Sequence, residues 1–542
     1  MGKYIFVTGG VCSSLGKGIA ASSIGSLLEL RGLTVRMIKI DPYLNVDAGT
    51  MSPFQHGEVY VTDDGAETDL DLGNYARFTH SPLSRDNSIT TGQIYQETIR
   101  MEREGRFLGR TVQVIPHITD RIKHRIKSIG DSSDTDITIV EVGGTVGDIE
   151  SFPFLEAERQ MIHEKGHNKV LSIHLTLVPM VSGGELKTKP TQHSVKEMQG
   201  IGIQPDILLC RAPHILDDDM RKKIALFTNV EPGAVISAYD VEHTIYQIPI
   251  IFKEQRLDDI ILEKLGIEAK QPDLSQWERV VQVFSSSEEK VTIGFVGKYI
   301  DLGDAYKSVD EALYHGGIAN NCKVELKKID AELLEKSDNL EAYFKNVDAI
   351  IVPGGFGQRG IEGMIRTAEW ARKNNIPYLG ICLGMQIMVI EYARNVLGLK
   401  EADSTEFSPS TPHPVVSLLE EQIDITMMGG TMRLGKYTAE LAENSKLREI
   451  YKSNIIEERH RHRYEFSNKY REQLSAAGMK IAGICPDNNL VEAVEWEGHP
   501  WGIGVQFHPE FKSRPMEPHP LFAGFIGAAL ENKRNKKSME LF

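Results

Sequence analysis

The residues best suited to covalent chemistry lie in Pro377-Tyr378-Leu379-Gly380-Ile381-Cys382-Leu383-Gly384-Met385-Gln386-Ile387-Met388. Here a short apolar run ends at a cysteine, with Gly380 and Gly384 two residues to either side and helix-forming residues next. A nucleophile on a tight strand-to-helix turn is pushed out of the chain, and flanking glycines permit the close backbone approach this demands. The helix N-terminus favours the thiolate over the thiol. A base and an orienting group should accompany such a nucleophile. Gly502-Ile503-Gly504-Val505-Gln506-Phe507 runs into His508-Pro509-Glu510, so His508 can take the thiol proton while Glu510 fixes its tautomer. His460 and His462 sit in an Arg/His-rich stretch read as helix or loop, where a solvated face is expected. Ile350-Ile351-Val352-Pro353-Gly354-Gly355-Phe356-Gly357 is an apolar run entering a glycine turn, able to aim backbone N–H groups at an oxyanion.

A second set of residues points to phosphate. Gly9-Gly10-Val11-Cys12-Ser13-Ser14-Leu15-Gly16-Lys17-Gly18 links an apolar run to a small-residue helix. Such a turn offers backbone N–H groups at a helix N-terminus, where anions are stabilised, and Lys17 adds a point charge. The match to the phosphate-loop pattern G-x-x-x-x-G-K-[ST] is imperfect. Five residues separate Gly10 from Gly16, and Gly18 stands where a magnesium-binding hydroxyl is expected. The metal must then be held elsewhere. The acidic stretch Asp63–Asp71 and Glu141, which ends the run Ile137-Thr138-Ile139-Val140, supply carboxylates. Ligands of open α/β sheets bind at the carboxyl ends of strands. Lys39, Asp41 and Tyr43 end another run, and Lys187-Thr188-Lys189-Pro190-Thr191-Gln192-His193 gathers cations, hydroxyls and an amide around a proline.

The elements that must position these groups follow from the alternation of short apolar runs with helical stretches. Runs at 4–8, 34–40, 136–142, 170–177, 207–210 and 235–237 read as buried strands. After the polar stretch Phe284–Lys290, further strands are expected at 291–297, 349–352, 378–381 and 502–506, with helices over 308–319 and 362–373. Alternating strands and helices imply parallel sheets covered on both faces. The expected architecture is α/β, with two doubly wound domains: a phosphate-loop-like domain over 1–268, a linker over 269–290 and a cysteine-nucleophile domain over 291–542.

Composition narrows the setting. Of 542 residues, 41% are hydrophobic and 25% charged, which are ordinary proportions for a globular protein with sizeable cores. A formal net charge of −15 disfavours nucleic-acid and membrane-surface binding without excluding local phosphate pockets. No apolar run reaches the roughly 20 residues of a membrane span. The opening residues lack a signal-peptide pattern, and Phe6 occupies the Ser/Thr position of a myristoylation motif, so a cytoplasmic location is expected. Five widely spaced cysteines without a CxxC pair fit a reducing compartment.

Gly354–Gly357, Gly380–Gly384 and His508–Glu510 together resemble a class I glutamine amidotransferase domain. Val7–Gly18, Asp148–Glu150 and Lys187–Gln192 resemble the synthetase domain of the CTP synthase family, and the likeness runs along nearly the whole chain in motif order. The resemblance implies an ATP-dependent amination of UTP to CTP at C4 through a phosphorylated intermediate, with ammonia from L-glutamine. It implies Cys382, His508 and Glu510 as catalytic, and Gly355, Leu383, Gly384, Met385, Gln386, Glu406 and Arg463 as glutamine-binding. It assigns ATP to Ser14, Leu15, Gly16, Lys17, Gly18, Ile19, Ala20, Asp71, Asp240 and Val241, and Mg²⁺ to Asp71 and Glu141. It assigns UTP, and CTP as feedback inhibitor, to Ser13, Asp148, Ile149, Glu150, Lys187, Thr188, Lys189, Pro190, Thr191, Gln192 and Lys223. GTP as activator, a homotetramer and an internal ammonia path also come with it; Cys12 receives no role. The glutaminase motifs alone leave open synthetases that aminate XMP or make carbamoyl phosphate, whose N-terminal partners lack these loops. A nucleotide-binding scaffold with a degenerate glutaminase is a further alternative, against which all three triad members are present.

Overall fold

Tyr4, Ile5, Phe6 and Val7 have no exposed surface, so the strand they form, Lys3–Gly9, is covered on both faces. That is the burial of a central strand in a parallel sheet. The computed structural model describes residues 2–51, 56–300, 302–418 and 432–540. They divide into two compact units, the first formed by 1–48 and 71–281, the second by 49–70 and 282–542.

The first unit holds a seven-stranded sheet in the order Ser88–Thr90, Val35–Asp41, Ile137–Val142, Lys3–Gly9, Val170–Leu177, Ile207–Ala212, Val235–Tyr239. Every pairing is parallel. Chain order reverses on either side of Lys3–Gly9, which makes its carboxyl end a topological switch point where ligands bind. The register sets Val7 opposite both Glu141 and Ile173, so the glycine-rich turn after Gly9 and the acid Glu141 emerge at one sheet edge.

The second unit carries nine strands in the order Lys323–Asp330, Lys290–Gly297, Ala349–Val352, Tyr378–Ile381, Gly502–Val505, Val491–Trp496, Met479–Ile484, Arg433–Leu441, Ile455–His462. The first five are mutually parallel, and the rest are antiparallel. Buried residues fill both faces, with the helices Ile361–Lys373 and Leu383–Asn395 on one side and Lys307–Ala319 and Pro520–Glu540 on the other.

Three sequence expectations change. His460 and His462 lie not on a solvated face but on the strand Ile455–His462, both almost fully buried. Alternation along that strand turns Ile456, Glu458, His460 and His462 inward. Burial lowers the pKa of both imidazoles, and Glu492 lies 2.6 Å from His460 and 2.8 Å from Arg433. The stretch 269–290, expected as linker, contains the helix Ser275–Ser286, whose Trp277, Val280 and Val283 are buried. Residues 49–70, expected in the first domain, cluster with the second unit. Within this stretch Tyr60–Val61 pairs with Glu67–Thr68 as a hairpin. The Tyr60 hydroxyl donates to the Phe511 carbonyl at 2.9 Å, and Arg459 reaches Tyr60 Oη at 2.7 Å and Asp63 at 2.5 Å.

Candidate active site

The strand Tyr378–Ile381 delivers Cys382 to the N-cap of the helix Leu383–Asn395 with φ 51° and ψ −100°. Such a conformation costs a non-glycine residue about 1–3 kcal/mol and persists only where its surroundings enforce it. The two glycines show how. A methyl group on Gly380 would lie 2.5 Å from the Gly384 carbonyl, and one on Gly384 would strike the Val352 backbone. Strand and helix therefore meet at a distance only glycines permit, and the cysteine takes the strained corner.

His508 and Glu510 follow Gly502–Val505, the strand paired with Tyr378–Ile381. Register places Ile381 opposite Val505, so both sheet edges carry their side chains to one place. Glu510 Oε1 lies 2.7 Å from His508 Nδ1. The Nε2 side of the ring faces the cysteine: a methyl on Gly354 would be 3.8 Å from Nε2 and 3.6 Å from Cys382 Cβ. Burial alone would discharge the imidazole, but Glu510 and the sulfur of Cys382 reverse this and push its pKa up to about 10. Gln506 Nε2 lies 3.7 Å from Cys382 Sγ.

These groups open into a cavity of about 390 Å³ lined by Gly354, Gly355, Phe356, Glu406, Arg463 and Tyr464, among others. The turn Gly354–Gly357 is clamped from two sides. Gly357 N–H donates to Glu406 at 2.8 Å, and Lys298 Nζ donates to the Phe356 carbonyl at 3.3 Å and to that of Gly357. Burial raises the Glu406 pKa and lowers that of Lys298 to about 8, in the latter case against the attraction of Glu406. Of the helix-start residues, Leu383 and Met385 are buried in the core, so this stretch can offer its backbone N–H groups but not those side chains. Gln386 is also buried, donating to the Tyr464 carbonyl at 3.0 Å.

In the first unit, Val11, Ser14 and Gly16 all have positive φ, the backbone of a tight turn between strand and helix. Gly16 caps the helix Lys17–Leu30. Ser14, Leu15, Gly16, Ile19, Ala20 and Val241 line an apolar cavity of about 140 Å³ with Leu175, Ile248 and Phe252. Lys17 Nζ donates to the Gly144 carbonyl at 2.7 Å, and Asp240 pairs with Arg211 at the edge of that cavity. A methyl on Gly18 would lie 2.7 Å from Asp71 Cγ, which presses the acid against the loop helix. Asp71 and Glu141 share Lys39 as counter-ion, and Glu141 also accepts from Tyr75. Burial, then Asp71, pushes the Glu141 pKa up to about 7. Two hard, crowded carboxylates beside a phosphate turn fit Mg²⁺, which takes its other ligands from phosphate and water.

Residues 3–267 match the family described as "CTP synthase N-terminus", and residues 301–528 match "Glutamine amidotransferase class-I". A CTP synthase of Carboxydothermus hydrogenoformans is 56% identical over 98% of this chain and 100% of its own. That of Geobacter sulfurreducens is 57% identical over 99% of each. The chain belongs to the CTP synthase family. Among solved structures, the Trypanosoma brucei CTP synthase glutaminase domain with bound acivicin is 42% identical, covering 44% of this chain and 94% of that one at a TM-score of 0.42.

The remaining residues that the CTP synthase resemblance assigns to UTP and CTP fall at four places in the first unit. Ser13 is exposed on the phosphate turn, and Asp148, Ile149 and Glu150 are exposed where a 3₁₀ turn begins. Lys187 pairs with Glu185 at 2.6 Å, and Lys223 also acts electrostatically on Glu185. Lys189 and Pro190 begin the helix Lys189–Ile201, on which Thr191 donates to the Leu177 carbonyl and Gln192 to Thr188. Sequence reading missed Lys298, although it follows the strand Lys290–Gly297 at the end where such sheets bind ligands. It also missed His174, buried beneath the phosphate turn between Thr8 Oγ1 at 2.9 Å and Ser194 Oγ at 2.7 Å. Only the register that stacks Thr8 beside His174 reveals it.

Proposed function

We propose that the chain makes CTP from UTP in two coupled stages, one in each unit. The observation that carries this reading is the strained Cys382 facing His508 and Glu510, on a chain whose other unit ends its central strand in a phosphate turn beside Asp71 and Glu141. In the second unit Cys382 attacks the amide carbon of glutamine after giving its proton to His508. Gly355 and Leu383 N–H groups stabilise the oxyanion, and His508 protonates the departing ammonia. Water, deprotonated by His508, hydrolyses the thioester and releases glutamate. Glu406 and Arg463 hold the charged ends of the amino acid.

In the first unit the Ser14–Ala20 turn holds ATP, with Asp240 and Val241 on its adenine side. Asp71 and Glu141 would hold Mg²⁺, which neutralises charge on the transferring phosphoryl group. Lys17 and Lys39 add positive charge there. UTP is held by Ser13, Asp148–Glu150, Lys187–Gln192 and Lys223. Its C4 oxygen takes the γ-phosphoryl group, ammonia adds at C4, and phosphate leaves. Ammonia is protonated in bulk water, so it travels by an internal path. GTP activation, CTP inhibition, a homotetramer and a cytoplasmic location complete the proposal.

The test follows CTP by absorbance from UTP, ATP and Mg²⁺, with glutamine or ammonium chloride as nitrogen source. CTP is expected from both. Cys382→Ala should abolish the glutamine-dependent rate and leave the ammonia-dependent rate within twofold. No CTP from either source by a folded protein refutes the substrate assignment.

A further inference from the structure

The oxyanion turn has a further contact, and it leads to a residue distant in sequence. The Arg461 guanidinium lies over the Phe356 ring, 5.1 Å from its centroid, inside the turn Gly354–Gly357. Arg461 also presents its backbone carbonyl 4.0 Å from Cys382 Sγ. Its neighbours His460 and His462 are buried, which fixes the backbone, whereas the side chain points the other way into the glutamine cavity. Among the described residues one carboxylate holds that side chain: Glu67 Oε1 accepts from Arg461 Nε at 2.8 Å, across 394 residues of sequence. Both side chains are mostly buried, 17% and 11% exposed, so the pair is shielded from the screening that weakens surface ion pairs.

Glu67 stands on the hairpin Tyr60–Thr68, which is secured independently of it. Arg459 binds Asp63, Tyr60 Oη and the Val61 carbonyl, Tyr60 binds Phe511, and Ser308 N–H donates to Glu58 at 2.9 Å. Gly49, Met51, Glu58 and Val59, which precede it in the chain, line the cavity. The hairpin therefore stays docked without Glu67, whose carboxylate packs against Gly49 and holds Arg461.

We propose that Glu67 is a positioning residue of the glutaminase. It holds Arg461 over Phe356, so that the oxyanion turn keeps its N–H groups aimed at the carbon attacked by Cys382. The inference rests on the glutaminase reading above. An oxyanion contact tightens in the transition state and contributes little to the bound substrate, so its loss lowers kcat more than it raises KM. Removing one such donor outright costs about 10²–10³-fold, and loosening the turn should cost less.

The test uses the full-length protein and measures glutamate release at saturating UTP, ATP and Mg²⁺. Glu67→Gln keeps the size and removes the charge. Its kcat should fall roughly tenfold or more, with KM for glutamine changing less than threefold and ammonia-dependent CTP synthesis unchanged. Asp63→Asn, which loosens the same hairpin without touching Arg461, should leave kcat within twofold. Combining Glu67→Gln with Arg461→Gln should cost no more than Arg461→Gln alone, as expected for one shared contact. A Glu67→Gln kcat equal to wild type overturns the proposal, as does an equal loss in Asp63→Asn or in the ammonia-dependent rate. Absence of glutamate release from the wild-type protein would instead defeat the glutaminase reading itself.

Discussion

Gly380→Ala is the sharpest probe of how the fold makes its nucleophile. Gly380 does not need a glycine backbone, since its φ is not among the positive ones. What the site lacks is room. The added methyl would sit 2.5 Å from the Gly384 carbonyl carbon and oxygen and 2.9 Å from Met385 N, all backbone atoms of the first helical turn. Ordinary contact begins near 3.4 Å, so about 0.9 Å must be relieved by moving the strand end away from the helix. Overpacking of this kind costs about 1–3 kcal/mol, which for a domain of this size lowers Tm by roughly 2–4 °C per kcal/mol. The larger effect is catalytic. The same displacement separates Cys382 from His508 and shifts Leu383 N–H away from the oxyanion, and a misplacement of about 1 Å costs on the order of 10²-fold. Glutamate release should fall about 100-fold, with ammonia-dependent CTP synthesis retained as the internal control. Glutamate release within threefold of wild type would show that the close approach of strand and helix does not set the nucleophile's geometry.

Two further outcomes follow from electrostatics. The His508 pKa is raised to about 10 from its ordinary 6.5, so the imidazolium–Glu510 pair stabilises the fold fully below about pH 6.5. That contribution declines as pH rises and is lost above about pH 10. The stability difference between wild type and Glu510→Gln, from denaturant titrations, should therefore be largest at pH 6 and disappear by about pH 10.5; a pH-independent difference would contradict it. In the first unit, Asp71→Asn or chelation by EDTA should remove ammonia-dependent CTP synthesis by 100-fold or more. Iodoacetamide should still alkylate Cys382 at the wild-type rate, measured by mass spectrometry, because the two sites draw on different carboxylates.

Much of this protein could be read from the chain alone, wherever chemistry is encoded over a few consecutive residues. Gly380-Ile381-Cys382-Leu383-Gly384 specifies strand, strained corner and helix within five positions, because the steric demand is local. The glycine-rich turn Gly9–Gly18 is local in the same sense. Strands Val170–Leu177, Ala349–Val352 and Tyr378–Ile381 have the expected bounds, since apolar runs buried on both faces leave little choice of period. The tertiary structure decided what depends on partners far along the chain. Lys323–Asp330 alternates charge with apolar residues at a sheet edge, and His460 and His462 look solvated until Glu492 and Arg433 arrive from other strands. Residues 49–70 carry acids suited to a phosphate site. Yet Asp63 and Glu67 pair with Arg459 and Arg461 in the second unit, because a buried cation takes whichever carboxylate the fold brings to it. Local sterics are written in neighbouring residues, whereas charge pairing across hundreds of residues exists only once the chain has folded.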